Sequence, residues 1–253
     1  SQFGFRKGKS TALAVSNLAR TVMKGFENKK YISLAGLDFT KAFDCVSHKI
    51  LNDKLRNYGF GNKSAQLIHS YLSNRQQYVI YDNGVSKLSQ LKHGVPQGSV
   101  LGPILFLIYI NDLPHCDLYT DHIMFADDTS LIKQFDSEEE INECMKLAIG
   151  RVDKWVKSNR LSLNASKTQT MTLTLRKQKI INQNSDFRIL GVTLDPHLTW
   201  NRHVAIQSAK LSKAIFVIRN LKRVASMETV ITAYYGIFHS ILSYAILAWG
   251  HSK

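Results

Sequence analysis

Phe125-Ala126-Asp127-Asp128 decides the reading of this chain. Apolar Ile123 and Met124 precede it, and a β-type run, Thr129-Ser130-Leu131-Ile132, follows it. Two adjacent carboxylates at the tip of a tight β-hairpin suit divalent-metal phosphoryl chemistry, because hard cations take oxygen ligands. By itself an Asp-Asp pair is ordinary turn chemistry. A third carboxylate, Asp38, ends the apolar run Ile32 to Leu37. Nucleotide transfer uses one metal to activate a hydroxyl and another to stabilise the leaving pyrophosphate, the ions about 3.5–4 Å apart. Three Asp residues on rigid strands therefore form a candidate two-metal site.

Periodicity supplies the surrounding elements. Ser10-Thr11 before Val15, Leu18, Ala19, Val22 and Phe26 predicts a capped helix. Tyr31 to Phe39 reads as a buried strand. Ser47 is placed to cap a helix through Ile50, Leu51, Leu55 and Tyr58, ended by Gly59. Ser64 to Leu72 reads as another helix. Gln77 to Tyr81 and Val85 to Leu91 read as strands around an Asn83-Gly84 turn. Gly94-Val95-Pro96-Gln97-Gly98 is a loop, and Leu101 to Ile110 an apolar helix. Ser137 with Glu140 opens a helix whose apolar face is Ile141, Cys144, Met145, Ala148, Val152 and Trp155. Thr168 to Leu175 and Arg188 to Leu194 read as strands, the second with Gly191 inside it. Arg202 to Leu221 and Met227 to Leu247 read as helices after a boundary near Asp195-Pro196. The order implies a mixed α+β body with a helical appendix. A split βαβ-type sheet would bring the end of the Asp38 strand beside the Asp127-Asp128 turn.

Across its 253 residues the chain is 44% hydrophobic, which excludes a disordered protein, and carries a formal net charge of +14, which favours a polyanionic partner. The excess sits at both ends. Arg6, Lys7, Lys9, Arg20, Lys24, Lys29 and Lys30 face a single acid, Glu27, in the first 30 residues; Glu228 is the lone acid after Asp195. Cys45, Cys116 and Cys144 share no metal-type spacing and read as reduced thiols. No signal-peptide pattern opens the chain. Together these predict an intracellular protein. Val230 to Gly250 lacks Asp, Glu, Lys and Arg and is long enough to cross a bilayer. Its Tyr, Gly, His and Ser residues and the basic helix before it point instead to a buried helical segment, so no membrane contact is expected.

Further segments join the Asp pair in a fixed order. They are Gln2-Phe3-Gly4-Phe5-Arg6-Lys7-Gly8-Lys9-Ser10-Thr11, Leu37-Asp38-Phe39-Thr40-Lys41-Ala42-Phe43-Asp44, Gly94-Val95-Pro96-Gln97-Gly98-Ser99-Val100-Leu101-Gly102-Pro103, Leu161-Ser162-Leu163-Asn164-Ala165-Ser166-Lys167-Thr168 and Phe187-Arg188-Ile189-Leu190-Gly191-Val192. On these residues the whole chain resembles the reverse transcriptases of jockey-like non-LTR (LINE-type) retrotransposons.

The resemblance implies a polymerase right hand: a palm with a split βαβ-type antiparallel sheet and helices behind it, partial fingers and a helical thumb. It distributes the chain as partial fingers over 1–36, palm over 37–58, a fingers/palm insertion over 59–93, palm over 94–195 and a thumb-like segment over 196–253. It implies RNA-directed DNA polymerisation with two Mg²⁺ (or Mn²⁺), an RNA template, a DNA primer and dNTPs. Asp38, Asp127 and Asp128 would be the catalytic metal ligands, with the Phe39 carbonyl facing a metal. Phe43 would be the steric gate against a ribose 2′-hydroxyl. Gln97, Gly98 and Arg6 would contact the incoming nucleotide, Gly98 by allowing close backbone approach. Lys167 would meet the departing pyrophosphate. Leu190 and Gly191 would form the primer grip. Lys210, Lys213, Arg219, Lys222 and Arg223 would line the thumb against duplex phosphates. Against the family pattern the chain begins inside the fingers, without an upstream fingers hairpin, endonuclease or Cys/His knuckle. The competing expectation is a catalytically inactive fragment that only binds nucleic acid.

Overall fold

The computed structural model describes residues 1–82, 84–176 and 186–251. In chain order its elements are α1 (Thr11–Glu27), β1 (Tyr31–Leu37), a 3₁₀ turn (Ala42–Cys45), α2 (His48–Asn57), α3 (Asn62–Leu72), the two-residue strands β2 (Gln76–Gln77), β3 (Ile80–Tyr81), β4 (Gly84–Val85) and β5 (Ser89–Gln90), and α4 (Leu101–Ile110). A 3₁₀ turn (Leu113–Cys116) leads to β6 (Asp121–Phe125), β7 (Asp128–Phe135), α5 (Glu139–Ser158), β8 (Gln169–Leu173), β9 (Phe187–Ile189) and β10 (Val192–Leu194). The chain ends in α6 (Asn201–Leu221), α7 (Met227–Ala233), a π-helical turn (Tyr234–His239), α8 (Ser240–Ser243) and α9 (Ile246–Trp249).

The chain divides into two compact units. The first contains Ser1–Lys7, Leu37–Leu131 and Glu143–Thr168; the second contains Gly8–Gly36, Ile132–Asn142 and Gln169–Lys253.

The core of the first unit surrounds α4, which is apolar on all sides. Leu105, Phe106, Tyr109 and Ile110 are buried. The Tyr109 hydroxyl donates to Asn159 O at 2.6 Å and accepts the Ser47 N–H at 3.3 Å, so the buried phenol is satisfied. This bond changes the reading of Ser47. It is buried, and its side chain makes no cap bond to α2. Gly59 does end α2, at φ +87°. Trp155, expected on the buried face of α5, is half-buried beneath Lys54, whose Nζ lies 4.7 Å from the ring centre; Val156 takes the buried position.

In the second unit β1 and β8 pair antiparallel, Ile32 opposite Leu173 and Leu34 opposite Met171. Five of the seven β1 residues form an unbroken buried run, as a strand covered on both faces requires. Ser10 caps α1 by accepting the Leu13 N–H at 3.1 Å.

Several expected elements come out differently. The strands over 77–91 reduce to two-residue ladders, and Asn83 lies outside the described residues. Every described residue from 74 to 90 is exposed, so no core face fixes a long register, and Ser86 Oγ takes the Val79 N–H at 2.9 Å. Arg188 to Leu194 is a hairpin, not one strand. Leu190 and Gly191 both have positive φ, 45° and 80°, as a two-residue primed turn needs.

Met227 to Leu247 is not one buried helix. Ser240 and Ser243 hydroxyls donate to the carbonyls four residues back at 2.5 and 2.7 Å, which competes with regular α-helix bonding. Ala245 at φ 51° then breaks the run. Ile231, Tyr234, Tyr235, Ile237, Leu242, Ile246 and Leu247 are exposed. Among the described residues, no helix is long and apolar enough to cross a membrane.

Candidate active site

The site lies within the first unit. Its centre is the turn between β6 and β7, where Ala126 takes φ 54° and Asp128 begins β7. A left-handed non-glycine residue is strained, and here the N-terminal segment holds it. Gln2 grips both backbone groups of Ala126: its Oε1 accepts the Ala126 N–H at 3.0 Å, and its Nε2 donates to Ala126 O at 3.3 Å. Gln2 Oε1 also accepts the Gly4 N–H at 2.8 Å, and Phe3 N–H donates to Met124 O at 2.7 Å. A Cβ on Gly4 would stand 2.3 Å from Ala126 N. Gly4→Ala is therefore expected to displace the Asp127 turn and lower unfolding stability by about 2 kcal/mol, read by urea denaturation. An unchanged midpoint would show that the turn does not depend on this brace. Gln2 and Gly4 were legible as part of a motif, not as supports of the Asp pair.

Asp38 follows β1, and its charge reaches both members of the pair. Burial, then the negative charge of Asp38, pushes the Asp127 carboxyl above the ordinary carboxylate value, against a lowering backbone hydrogen bond. Desolvation, then Asp127, then Asp38, pushes Asp128 up as well; its exposure limits the first of these causes. Lys167 Nζ stands 3.5 Å from Asp38 Oδ2 on a mostly exposed side chain, a pair worth little in stability. The charges of Asp38, Asp127 and Asp128 thus act on one another, and Lys167 pairs with Asp38. Among the described residues, no three His, Cys, Asp or Glu side chains converge to hold one ion.

Phe39 is buried in an antiparallel bridge with Leu163, closed by Thr40 N–H to Ser162 O at 2.9 Å and Asn164 N–H to Asp38 O at 2.8 Å. Neither bond uses the Phe39 carbonyl. Phe43, in the 3₁₀ turn, is half-buried. Its ring stacks on Phe106, with centres 4.2 Å apart and planes at 21°, and meets Phe5 edge-on at 6.4 Å. The Gly94–Gln97 loop is bound to that turn through Val95 N–H to Phe43 O at 2.9 Å. Ser99 Oγ accepts the Gly102 N–H at 3.0 Å and fixes the loop to the start of α4.

Gly98 has φ +77° with open space where a Cβ would stand. Backbone direction favours the glycine there. Arg6 is exposed on the wall of a cavity of about 460 Å³ with Tyr58, Ile104, Leu107, Asn111 and Met124; Asp38, Asp127 and Gln97 are not among its lining residues.

The remaining candidates belong to the second unit. Leu190 and Gly191 form the β9–β10 turn, and Tyr244 Oη donates to Leu190 O at 2.5 Å. Lys210, Lys213 and Arg219 are exposed on α6, with Lys222 and Arg223 exposed just beyond it.

Residues 1–194 match the family model "Reverse transcriptase (RNA-dependent DNA polymerase)". The chain is 28% identical over 270 residues to a probable RNA-directed DNA polymerase from transposon X-element of Drosophila melanogaster, covering 98% of this chain and 29% of that protein. It is 29% identical over 272 residues to its counterpart from transposon BS, covering 98% and 30%. To the polymerase from mobile element jockey of the same organism it is 27% identical over 269 residues, covering 98% and 29%. The chain thus spans about three-tenths of the length of these curated relatives. Among solved structures, telomerase from Candida albicans in complex with a telomeric RNA fragment superposes with a TM-score of 0.57 at 12% identity, covering 99% of this chain and 49% of the other. Telomerase from Candida tropicalis in the corresponding complex gives 0.58 at 14% identity, covering 98% and 44%. These likenesses show the fold, the α+β polymerase right hand. With the family model spanning the motifs from Gln2 through Val192, the chain belongs to the reverse transcriptase (RNA-dependent DNA polymerase) family.

Proposed function

We propose that this chain is the polymerase core of a non-LTR retrotransposon reverse transcriptase. It would extend a DNA primer on an RNA template with dNTPs, as an RNA-directed DNA polymerase. The observation that carries this reading is the charge-coupled set Asp38, Asp127 and Asp128 in one unit with the Phe43 turn and the Gln97 loop, in a chain of this family.

Polymerases of this family generally use divalent metal ions, and the donor set here fits them in chemistry. All the donors are hard oxygens, and mutual repulsion among partly desolvated carboxylates is relieved by a cation. Asp38, Asp127 and the Phe39 carbonyl would hold two Mg²⁺ (or Mn²⁺), with Asp128 completing the negative cluster. Two carboxylates suffice because Mg²⁺ draws its other ligands from water and substrate phosphate. Such ions activate the primer hydroxyl and stabilise the leaving pyrophosphate.

The chain's own residues do the rest by positioning and charge. The Phe43 ring, backed by Phe106, fills the space a ribose 2′-hydroxyl would need. Gln97 and Gly98 present the loop that faces the nucleotide, and Arg6 contributes positive charge. Lys167, exposed beside Asp38, is placed to meet departing pyrophosphate. Leu190 and Gly191 would position the primer end, and Lys210, Lys213, Lys222 and Arg223 would take backbone phosphates. The division into fingers (1–36), palm (37–58 and 94–195), insertion (59–93) and thumb (196–253) belongs to the same reading. An intracellular place of action, in cytoplasm and nucleus, accompanies it.

Primer extension on an RNA template with Mg²⁺ or Mn²⁺ tests it. Templated DNA synthesis that needs the metal supports the proposal. No synthesis with either metal, while salt-sensitive RNA binding persists, would establish the binding-only alternative that the +14 charge favours.

A further inference from the structure

Gln97 has a partner that the motif reading left without a role. Its Nε2 donates to Asp44 Oδ1 at 2.8 Å. Asp44 directly follows Phe43 in the turn Ala42–Cys45 and is exposed. Backbone bonds flank this contact: Gly94 N–H to Val46 O at 2.8 Å and Val95 N–H to Phe43 O at 2.9 Å. His48 Nε2 meets Gly94 O at 2.8 Å. A Cβ on Gly94, whose φ is +90°, would stand 2.8 Å from Asp44 O. Residues 43–46 and 94–97 are therefore zipped together. The Asp44–Gln97 bond extends that zip to the one side chain of the loop that the functional reading turns toward the nucleotide.

We propose that Asp44 is a positioning residue for nucleotide selection. The inference rests on the reading of Gln97 and Phe43 as nucleotide-contacting. A carboxylate only accepts hydrogen bonds, so it fixes which end of the Gln97 amide faces it. Nε2 is committed to Asp44, and Oε1 remains as the acceptor offered to a donor on the incoming nucleotide. A glutamine otherwise carries substantial rotamer freedom, which binding must remove. Holding it beforehand moves that cost from the nucleotide-binding step into the folded state. Asp44 also joins the gate turn to the loop, so the sugar-facing and nucleotide-facing groups keep one spacing.

Single-nucleotide incorporation on a fixed RNA template and DNA primer tests this, with Asp44→Ala and Asp44→Asn compared with the wild type. Asn still offers an Oδ1 acceptor. Asp44→Ala is expected to raise the dNTP KM about fivefold to tenfold with kcat nearly unchanged, the size of an exposed hydrogen bond to a charged group. Asp44→Asn, which keeps an acceptor but is neutral and can also donate, is expected to fall between the wild type and Asp44→Ala. A loss confined to kcat, an unchanged KM in Asp44→Ala, or equal KM losses in both variants would overturn the proposal. Thermal midpoints of both variants should match the wild type, because Asp44 is exposed. A wild-type chain that incorporates nothing would count against the functional reading instead. The positioning claim is then judged by NMR of the Gln97 side-chain amide, assigned by its loss in Gln97→Glu. The amide signals should move in Asp44→Ala, and signals that stay in place would sink the claim without reference to activity.

Discussion

Asp127→Asn is expected to abolish metal-dependent primer extension, by about 10³-fold or more, while RNA binding stays near wild type. The substitution removes one charged oxygen ligand from the turn and leaves the shape of the residue almost unchanged. The basic surface that would hold nucleic acid includes Lys210, Lys213 and Lys222, which are exposed and are not touched by the change. Extension that persists in Asp127→Asn would remove this residue from the catalytic centre. The same variant should be more stable than wild type at neutral pH when divalent metal is withheld. The fold raises the Asp127 carboxyl above its ordinary value, chiefly by burying it and further through the charge of Asp38. A carboxyl raised in this way favours the folded state when protonated. Its contribution is complete below the ordinary carboxylate value of 3.8 and is lost as pH rises from there through the folded value. Asparagine carries no such ionisation penalty. Urea denaturation at neutral pH with a chelator present measures the difference, and an Asp127→Asn chain no more stable than wild type would contradict the electrostatic picture. Adding Mg²⁺ should then stabilise the wild type and leave the variant nearly unmoved, since a ligand stabilises only the state that binds it.

Phe43→Ala is expected to relax discrimination against rNTPs by roughly 10–100-fold. The ring would reject a ribose by occupying the place of its 2′-hydroxyl, and Ala empties that place. Stacking at 4.2 Å on fully buried Phe106 keeps the ring from swinging aside, which an effective gate needs. The half-buried ring also contributes to packing, so the variant should lose about 1–2 kcal/mol of stability. Phe43→Tyr, which keeps the bulk, separates the two effects and should retain selectivity. The readout is the ratio of kcat/KM for a dNTP and its matching rNTP. Unchanged sugar selectivity in Phe43→Ala would return Phe43 to a packing role alone.

The helices with strong apolar periodicity were legible in the order of residues. α1 falls close to its expected bounds because its Ser10 cap and apolar stripe are local signals, and α4 does so because its unbroken apolar run is one as well. Elements whose limits depend on partners were not. Ser47 has the side chain of a cap, yet its backbone serves the buried Tyr109 hydroxyl. Leu190-Gly191 lies inside an apolar run that reads as one strand, yet the pairing of Val192 with Ile189 makes it a turn. The apolar stretch after Met227 carries no mark of the break at Ala245 or of the face it leaves exposed.

The site divides along the same line. Sequence alone determined the carboxylates, the aromatic five positions beyond Asp38, the Pro96-Gln97-Gly98 loop and their order, because each is a matter of residue type and spacing. Only the tertiary structure decided that Gln2 clamps the strained Ala126, that Gly4 must be bare, that Phe106 backs Phe43 and that Asp44 holds Gln97. Each of those contacts joins residues far apart in the chain. Their energies depend on distances of a few ångströms, which folding sets and the order of residues does not display.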